Sequence, residues 1–152
     1  ALVDTSDPEA SMHLNLLKQR GVDAVRFTAT TRSPGQDPYH IWKCAESLGM
    51  TATVMGACED YAHEDFESII QNCSDLQIVI EHLGGVGAFF GPGRSSSDIP
   101  YEPYKKVLSL SQYENVAIKI TGLGEFCERP RPFIPPMPFH NIAPVMEMAL
   151  ED

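Results

Sequence analysis

Short apolar runs alternate with helical patterns along this chain, and this alternation restricts the fold more than any other feature. The predicted strands are Val22–Thr28, Thr51–Met55, Leu76–Glu81 and Val116–Ile120. The segments between them carry apolar residues at helical spacing, and Gly21 and Gly49 end two of the predicted helices. Short continuous apolar strands that alternate with helices are typical of a parallel sheet covered by helices. We therefore predict a single α/β domain spanning residues 1–152.

Two architectures fit this pattern: an open doubly wound sheet and a segment of a (β/α)₈ barrel. Helices are predicted over about 7–20, 37–48, 64–72 and 101–112 and from about Asn141, and Leu2 and Val3 are expected to end a further strand. Four to five βα units in 152 residues extrapolate to about 250 residues for eight units, which is the usual barrel size. The length therefore favours a partial TIM-like barrel.

The third predicted strand leads directly into a glycine-rich turn, Ile78-Val79-Ile80-Glu81-His82-Leu83-Gly84-Gly85. Ligands bind at the carboxyl ends of the strands in parallel α/β folds, so a polar residue placed there is a functional candidate. His82 is therefore the first candidate catalytic residue. Glu81 precedes it by one residue and is expected to point to the opposite face, towards a helix or in a structural role.

Three segments together resemble the amidohydrolase-related family of the amidohydrolase superfamily, which includes pyrone dicarboxylate lactonases and aromatic acid decarboxylases. They are Gly21–Phe27, Ile78–Gly85 and Asn115–Leu123. The resemblance implies a barrel with its site at the carboxyl ends of the strands. It also implies a His-x-His pair on the first strand and an aspartate on the last, and neither matches a position of this sequence. The chain is thus expected to be an internal fragment that lacks the first and last strands.

The resemblance also implies roles for individual residues. Arg26 and Arg32 match two arginines that hold the carboxylates of a ring substrate, a task that suits the paired donors of a guanidinium. His82 matches a histidine that polarises the scissile carbonyl in metal-free members or ligates the metal in metal-dependent ones. The expected cofactor is either none or a divalent Zn or Mn, and an aspartate beyond Asp152 is the expected base. Arg94, in the loop after the glycines, is predicted as a further anion contact.

The leading functional hypothesis is a hydrolase that uses activated water on a small carboxylated ring or lactone. One alternative is a metal-dependent decarboxylase of the same family. Another is a non-catalytic interaction module, because the exposed edges of a half barrel favour pairing with another chain, for example in a homo-oligomer. A third is a nucleotide binder in which the glycine-rich segment 84–94 cradles phosphate.

Composition narrows the partners. A net charge of −10 argues against a nucleic-acid partner, and no apolar run approaches the roughly 20 residues of a membrane span. The four cysteines show no metal-ligand spacing, so we predict reduced thiols in a cytoplasmic protein. Cys58 follows a predicted strand and is the cysteine most worth testing as a nucleophile. Lys119 lies within a predicted strand, where a structural role inside the barrel is expected.

Overall fold

The computed structural model describes residues 1–86 and 100–120, and these form one parallel sheet of four strands. The strands are β1 (Ala24–Thr28), β2 (Thr51–Met55), β3 (Ile78–Ile80) and β4 (Val116–Ile118), and they lie side by side in chain order. A doubly wound sheet reverses its strand order partway through the chain, whereas a barrel segment does not. Within the described ranges, the sheet therefore has the order of a barrel segment.

The amino-terminal residues pair with the outer side of β1. Leu2 forms an isolated parallel bridge with Arg26, and the Arg26 N–H donates to the Ala1 carbonyl at 2.8 Å. The order in space is therefore the amino-terminal residues, then β1 to β4. The bridge is in the position expected for a further strand, which itself stays a prediction.

Helices connect the strands and cover one face of the sheet. They are α1 (Ala10–Gln19), α2 (His40–Ser47), α3 (Cys58–Tyr61), α4 (Glu64–Asn72) and α5 (Tyr101–Leu108), with a 3₁₀ turn over Ser109–Gln112 after α5. The predicted helices agree with α1, α2, α4 and α5, although the last turn of the helix predicted over 101–112 is 3₁₀. Helix α3 was not predicted, because four residues are too few to show a helical period. The helix predicted from Asn141 lies outside the described residues.

The two faces of the sheet differ in burial. Val25 and Phe27 on β1 are buried, and the Phe27 ring packs edge-on against Trp42 of α2 with centroids 4.6 Å apart. The helix-covered face continues through Ala52, Val54, Ile78 and Ile80, all fully buried. The opposite face, here called the inner face, carries Arg26, Thr53, Val79 and Ala117 in one row across the strands. In a closed barrel, this second face points to the interior.

Among the described residues, no helix is long and apolar enough to span a membrane. The cysteines in those ranges, Cys44, Cys58 and Cys73, are free thiols, as predicted, and Cys127 lies outside them.

Candidate active site at the carboxyl edge of the sheet

An ion pair joins two strands that are not neighbours. The Nη2 atom of Arg26, on β1, lies 2.6 Å from Oε2 of Glu81, the residue directly after β3. Because β2 lies between these strands, the contact spans the inner face of β2. The Arg26 side chain is 42% exposed, whereas that of Glu81 is only 5% exposed. A partly exposed guanidinium is thus held by a buried carboxylate.

The prediction that Glu81 faces a helix is wrong. Ile78 and Ile80 are buried on the helix-covered face, so Glu81 falls with Val79 on the inner face. Its N–H donates to the Val54 carbonyl at 2.9 Å, which continues the sheet one residue beyond β3. The prediction assumed that residues alternate between the two faces as far as His82. The strand conformation ends before His82, so the face of Glu81 cannot be counted back from it. Counting forward from Ile78 would have found the correct face.

Lys119 completes a charged cluster on the inner face, defined here as Arg26, Glu81 and Lys119. The Lys119 Nζ lies 4.0 Å from Oε1 of Glu81, at the outer limit of an ion pair, and the lysine side chain is 50% exposed. Its N–H donates to the Ile80 carbonyl at 2.8 Å, so its position next to β3 is set by the sheet. The cluster contains two cations and one carboxylate, so its own net charge is positive.

His82 lies in a turn with an unusual backbone. His82 and Leu83 have φ values of +54° and +52°, and Gly84 and Gly85 follow with +70° and +80°. Residues other than glycine seldom adopt positive φ, and such strained positions cluster at functional sites. The Gly85 N–H donates to the His82 carbonyl at 3.1 Å, and the Leu83 N–H donates to the Lys119 carbonyl at 3.2 Å. The turn that carries His82 is thus tied to the end of β4.

Gly85 allows the same turn to pack closely against the segment after β2. A Cβ at this position would lie 2.6 Å from the Cys58 backbone nitrogen and 2.8 Å from the Gly56 carbonyl oxygen. Only glycine permits backbones to approach this closely. His82 therefore sits on a partly buried turn that is packed against one neighbouring segment and hydrogen-bonded to another.

Arg32 has a different set of contacts. Its Nη1 donates to the carbonyls of Thr31 at 2.7 Å and Ala29 at 3.2 Å. Its Nη2 lies 3.8 Å from Oδ2 of Asp65, and its guanidinium carbon lies 5.9 Å from the Tyr39 ring centroid. In the described part of the chain, Arg32 and Arg26 share no hydrogen-bond or ion-pair partner, so the structure does not bring the two arginines to one residue.

The surroundings of Arg32 are also acidic. It lines an open cleft of about 400 Å³ together with Glu59, Asp60 and Asp65. Three carboxylates repel an anionic ligand, whereas the cluster around Arg26 has excess positive charge. The two predicted carboxylate-binding arginines thus lie in different electrostatic environments. Arg94 lies outside the described residues, as does most of the glycine-rich segment 84–94.

Cys58 is poorly suited to act as a nucleophile. It is fully buried, and this burial, with a smaller contribution from the charge of Glu59, raises the pKa of its thiol to about 12. The reactive form of cysteine is the thiolate, which is scarce at neutral pH when the pKa is this high. Nearby, the buried Tyr61 hydroxyl donates to the Val54 carbonyl at 2.6 Å, and burial followed by the charge of Glu81 raises the pKa of Tyr61.

A divalent metal, which the resemblance allows, needs three or four ligands. Within residues 1–86 and 100–120, no three His, Cys, Asp or Glu side chains are grouped to hold a metal ion. These residues by themselves do not fit a complete metal site.

Comparison with known proteins shows that the chain is similar in fold to a solved structure. No family model matches the chain, and no curated protein matches it. The chain is similar to the crystal structure of a probable 2-pyrone-4,6-dicarboxylic acid hydrolase from Acinetobacter baumannii with citric acid bound, at 21% identity and a TM-score of 0.67. The match covers 99% of this chain and 51% of that one, so the chain spans about half the length of its neighbour. The likeness confirms the fold as part of a TIM-like barrel.

Proposed function

We propose that the protein containing this chain is an amidohydrolase-like hydrolase acting on a small carboxylated ring or lactone. The observation that carries the proposal is the contact between Arg26 and Glu81 on the inner face of the sheet. It brings a partly exposed guanidinium to the residue that immediately precedes His82. An anion-binding group and an imidazole thus belong to the same edge of the barrel. The likeness in fold to a probable pyrone dicarboxylic acid hydrolase supports the same class of substrate.

The proposed reaction is hydrolysis of a ring ester. Water adds to the ester carbonyl, the bond from the carbonyl carbon to the ring oxygen breaks, and the ring opens to a carboxylate and a hydroxyl group. A neutral His82 imidazole donates its N–H to the carbonyl oxygen and stabilises the negative charge that develops there. An aspartate of the last barrel strand, as the resemblance implies, takes a proton from the attacking water and gives it to the ring oxygen as that oxygen leaves.

Arg26 is the proposed contact for a substrate carboxylate. The planar guanidinium binds a carboxylate through paired donors, and the excess positive charge of the cluster favours an anion. The Nη1 atom of Arg32 donates to the carbonyls of Ala29 and Thr31, and its Nη2 atom lies 3.8 Å from Asp65. Arg32 is therefore proposed as a second contact through its remaining donors, and Arg94 is proposed as a third.

The test is turnover of 2-pyrone-4,6-dicarboxylate by the protein that carries this chain, with and without a chelator. We expect His82→Ala to lower kcat/KM by at least about 100-fold, because one positioned hydrogen-bond donor or proton-transfer group contributes about that much. His13→Ala is the matched control, since His13 lies on α1 and its ion-pair contact in the described residues is with Asp7, not with Arg26, Glu81 or Lys119. We expect it to retain wild-type kinetics.

Two results would contradict the proposal: no hydrolysis of any carboxylated lactone, or unchanged kinetics for His82→Ala. Turnover that needs stoichiometric Zn or Mn and stops with chelator would instead support the metal-dependent branch, with His82 as a ligand. Metal-free turnover that resists the chelator would support the mechanism given above.

A further inference from the structure

We propose that Glu81 is a positioning residue that holds the Arg26 guanidinium in the orientation in which it binds a substrate carboxylate. The inference rests on the proposed function, because it concerns the same site. It assigns a role to a residue that contacts no substrate itself. Three observations carry it: the burial of Glu81, the partial exposure of Arg26 and the way the contact crosses the sheet.

Because Glu81 is buried, its negative charge needs a compensating positive group nearby. A buried carboxylate is costly unless a positive group compensates it. In the described ranges the cations in ion-pair contact with it are Arg26 at 2.6 Å and Lys119 at 4.0 Å. No hydrogen bond from these ranges reaches its Oε2 atom, so that oxygen depends on the charge of Arg26. Arg26 is therefore the principal partner of Glu81.

The exposure of Arg26 shows that its guanidinium remains accessible to a ligand while it contacts Glu81. Glu81 meets one terminal nitrogen, Nη2, while 42% of the arginine side chain remains exposed. A guanidinium has five N–H donors in one plane, so an ion pair at one terminal nitrogen restricts where the remaining donors lie. A long arginine side chain otherwise loses rotamer freedom when it binds, and restricting it beforehand improves affinity. Glu81 thus prepares Arg26 for a carboxylate.

A purely electrostatic role for Glu81 predicts the opposite effect on binding. Its negative charge lies beside the proposed anion site, so Glu81→Gln would tighten binding if charge alone mattered. If Glu81 positions Arg26, the same substitution weakens binding although the site becomes more positive. The direction of the change therefore separates the two roles.

The experiment measures Kd by calorimetry for citrate and for 2-pyrone-4,6-dicarboxylate, and kcat and KM for the latter, with the protein that carries this chain. We expect Glu81→Gln to raise Kd and KM by about tenfold and to change kcat by less than about threefold, since His82 remains in place. In an Arg26→Gln background, we expect Glu81→Gln to have no further effect, because Glu81 acts through Arg26.

Two further variants complete the design. Glu102→Gln, the matched control, removes a carboxylate paired with Lys105 at 2.8 Å on the exposed surface of α5, and we expect wild-type constants. Glu81→Asp keeps the charge but withdraws it by one methylene, and we expect intermediate values. Should Glu81→Gln fail to fold, Glu81→Asp provides the comparison, and a wild-type Kd for it would overturn the proposal.

The outcomes separate this inference from the proposed function. The positioning role is overturned if Glu81→Gln binds the carboxylates as tightly as the wild type or more tightly. It is also overturned if Glu81→Gln raises Kd equally in the wild-type and Arg26→Gln backgrounds. Either result holds even if the enzyme hydrolyses the lactone. Weaker binding by Glu81→Gln without any turnover supports the positioning role and contradicts the hydrolase. If the wild-type protein binds neither carboxylate, both are overturned.

Discussion

At the scale of single residues, Arg26 and Glu81 form one pair but depend on it unequally. Glu81 is nearly enclosed, whereas Arg26 reaches solvent. Removing the arginine leaves a buried carboxylate whose other ion-pair contact within residues 1–86 and 100–120 is Lys119, at 4.0 Å. Removing the glutamate leaves a cation that water can hydrate. The two losses should therefore have different effects on stability.

We expect Arg26→Gln to lower the free energy of unfolding by about 3 kcal/mol, the typical cost of leaving a buried charge unpaired. Glu81→Gln should cost about 1 kcal/mol, since it leaves no buried charge behind. Urea unfolding of both single variants and the double variant measures this difference. The double variant should be more stable than Arg26→Gln alone. Equal losses in the two single variants would show that Glu81 reaches solvent after the arginine is removed.

The cysteines provide a test of burial at the same scale. Burial raises the pKa of Cys58 to about 12 and that of Cys73 to about 11, whereas Cys44 is partly exposed. We expect iodoacetamide at pH 8 to modify Cys44 and to leave Cys58 and Cys73 unmodified until the chain unfolds. Peptide mass spectrometry after native and denatured labelling distinguishes the sites. Rapid native labelling of Cys58 would contradict its burial.

The raised pKa of Cys58 also has a consequence for stability. The thiol ionises more readily in the unfolded chain than in the folded one. Its contribution to the free energy of unfolding is therefore complete below about pH 9 and is lost as the pH rises towards about 12. A Cys58→Ala variant should show a smaller fall in stability over this alkaline range.

At the scale of elements, the turn from His82 to Gly85 determines how β3 delivers its functional residues. Four successive positive φ values reverse the chain at the end of the strand. The two glycines were visible in the sequence, but the left-handed conformation of His82 and Leu83 was not, because such residues adopt it only when the surrounding packing requires it. Helix α3, which follows the segment packed against this turn, was missed because four residues are too few to show a helical period.

Gly85→Ala tests this packing. We expect it to lower the free energy of unfolding by about 3 kcal/mol, since it combines a left-handed residue with a clash against backbone atoms of the segment after β2. Gly21→Ala is the matched control, because Gly21 also has a positive φ, of +84°, but a Cβ there meets nothing within 4 Å. It should cost about 1 kcal/mol, the conformational part alone. Thermal or urea unfolding compares the two, and equal losses would show that the turn yields without strain.

At the scale of the whole molecule, strand order decides between the two architectures that the periodicity allowed. In the part of the chain that the structure describes, the four strands follow one another without reversal and the helices cover one face. The inner face therefore collects alternate residues from every strand, which is how a barrel brings side chains from distant positions to one place. This is why Arg26, Glu81 and Lys119 meet although they come from three different strands.

The sequence by itself determined the class of fold, the order of the four strands and the position of His82 just after β3, whereas Arg26 was expected near the carboxyl end of β1 and lies at its centre. These follow from local periodicity and from glycines that end helices, which a reader can count along the chain. Only the tertiary structure decided that Glu81 faces Arg26 across β2 and that Arg32 turns to its own loop. Such contacts depend on register between strands and on where the pleat of β3 ends, and these are set by packing among residues far apart in the chain.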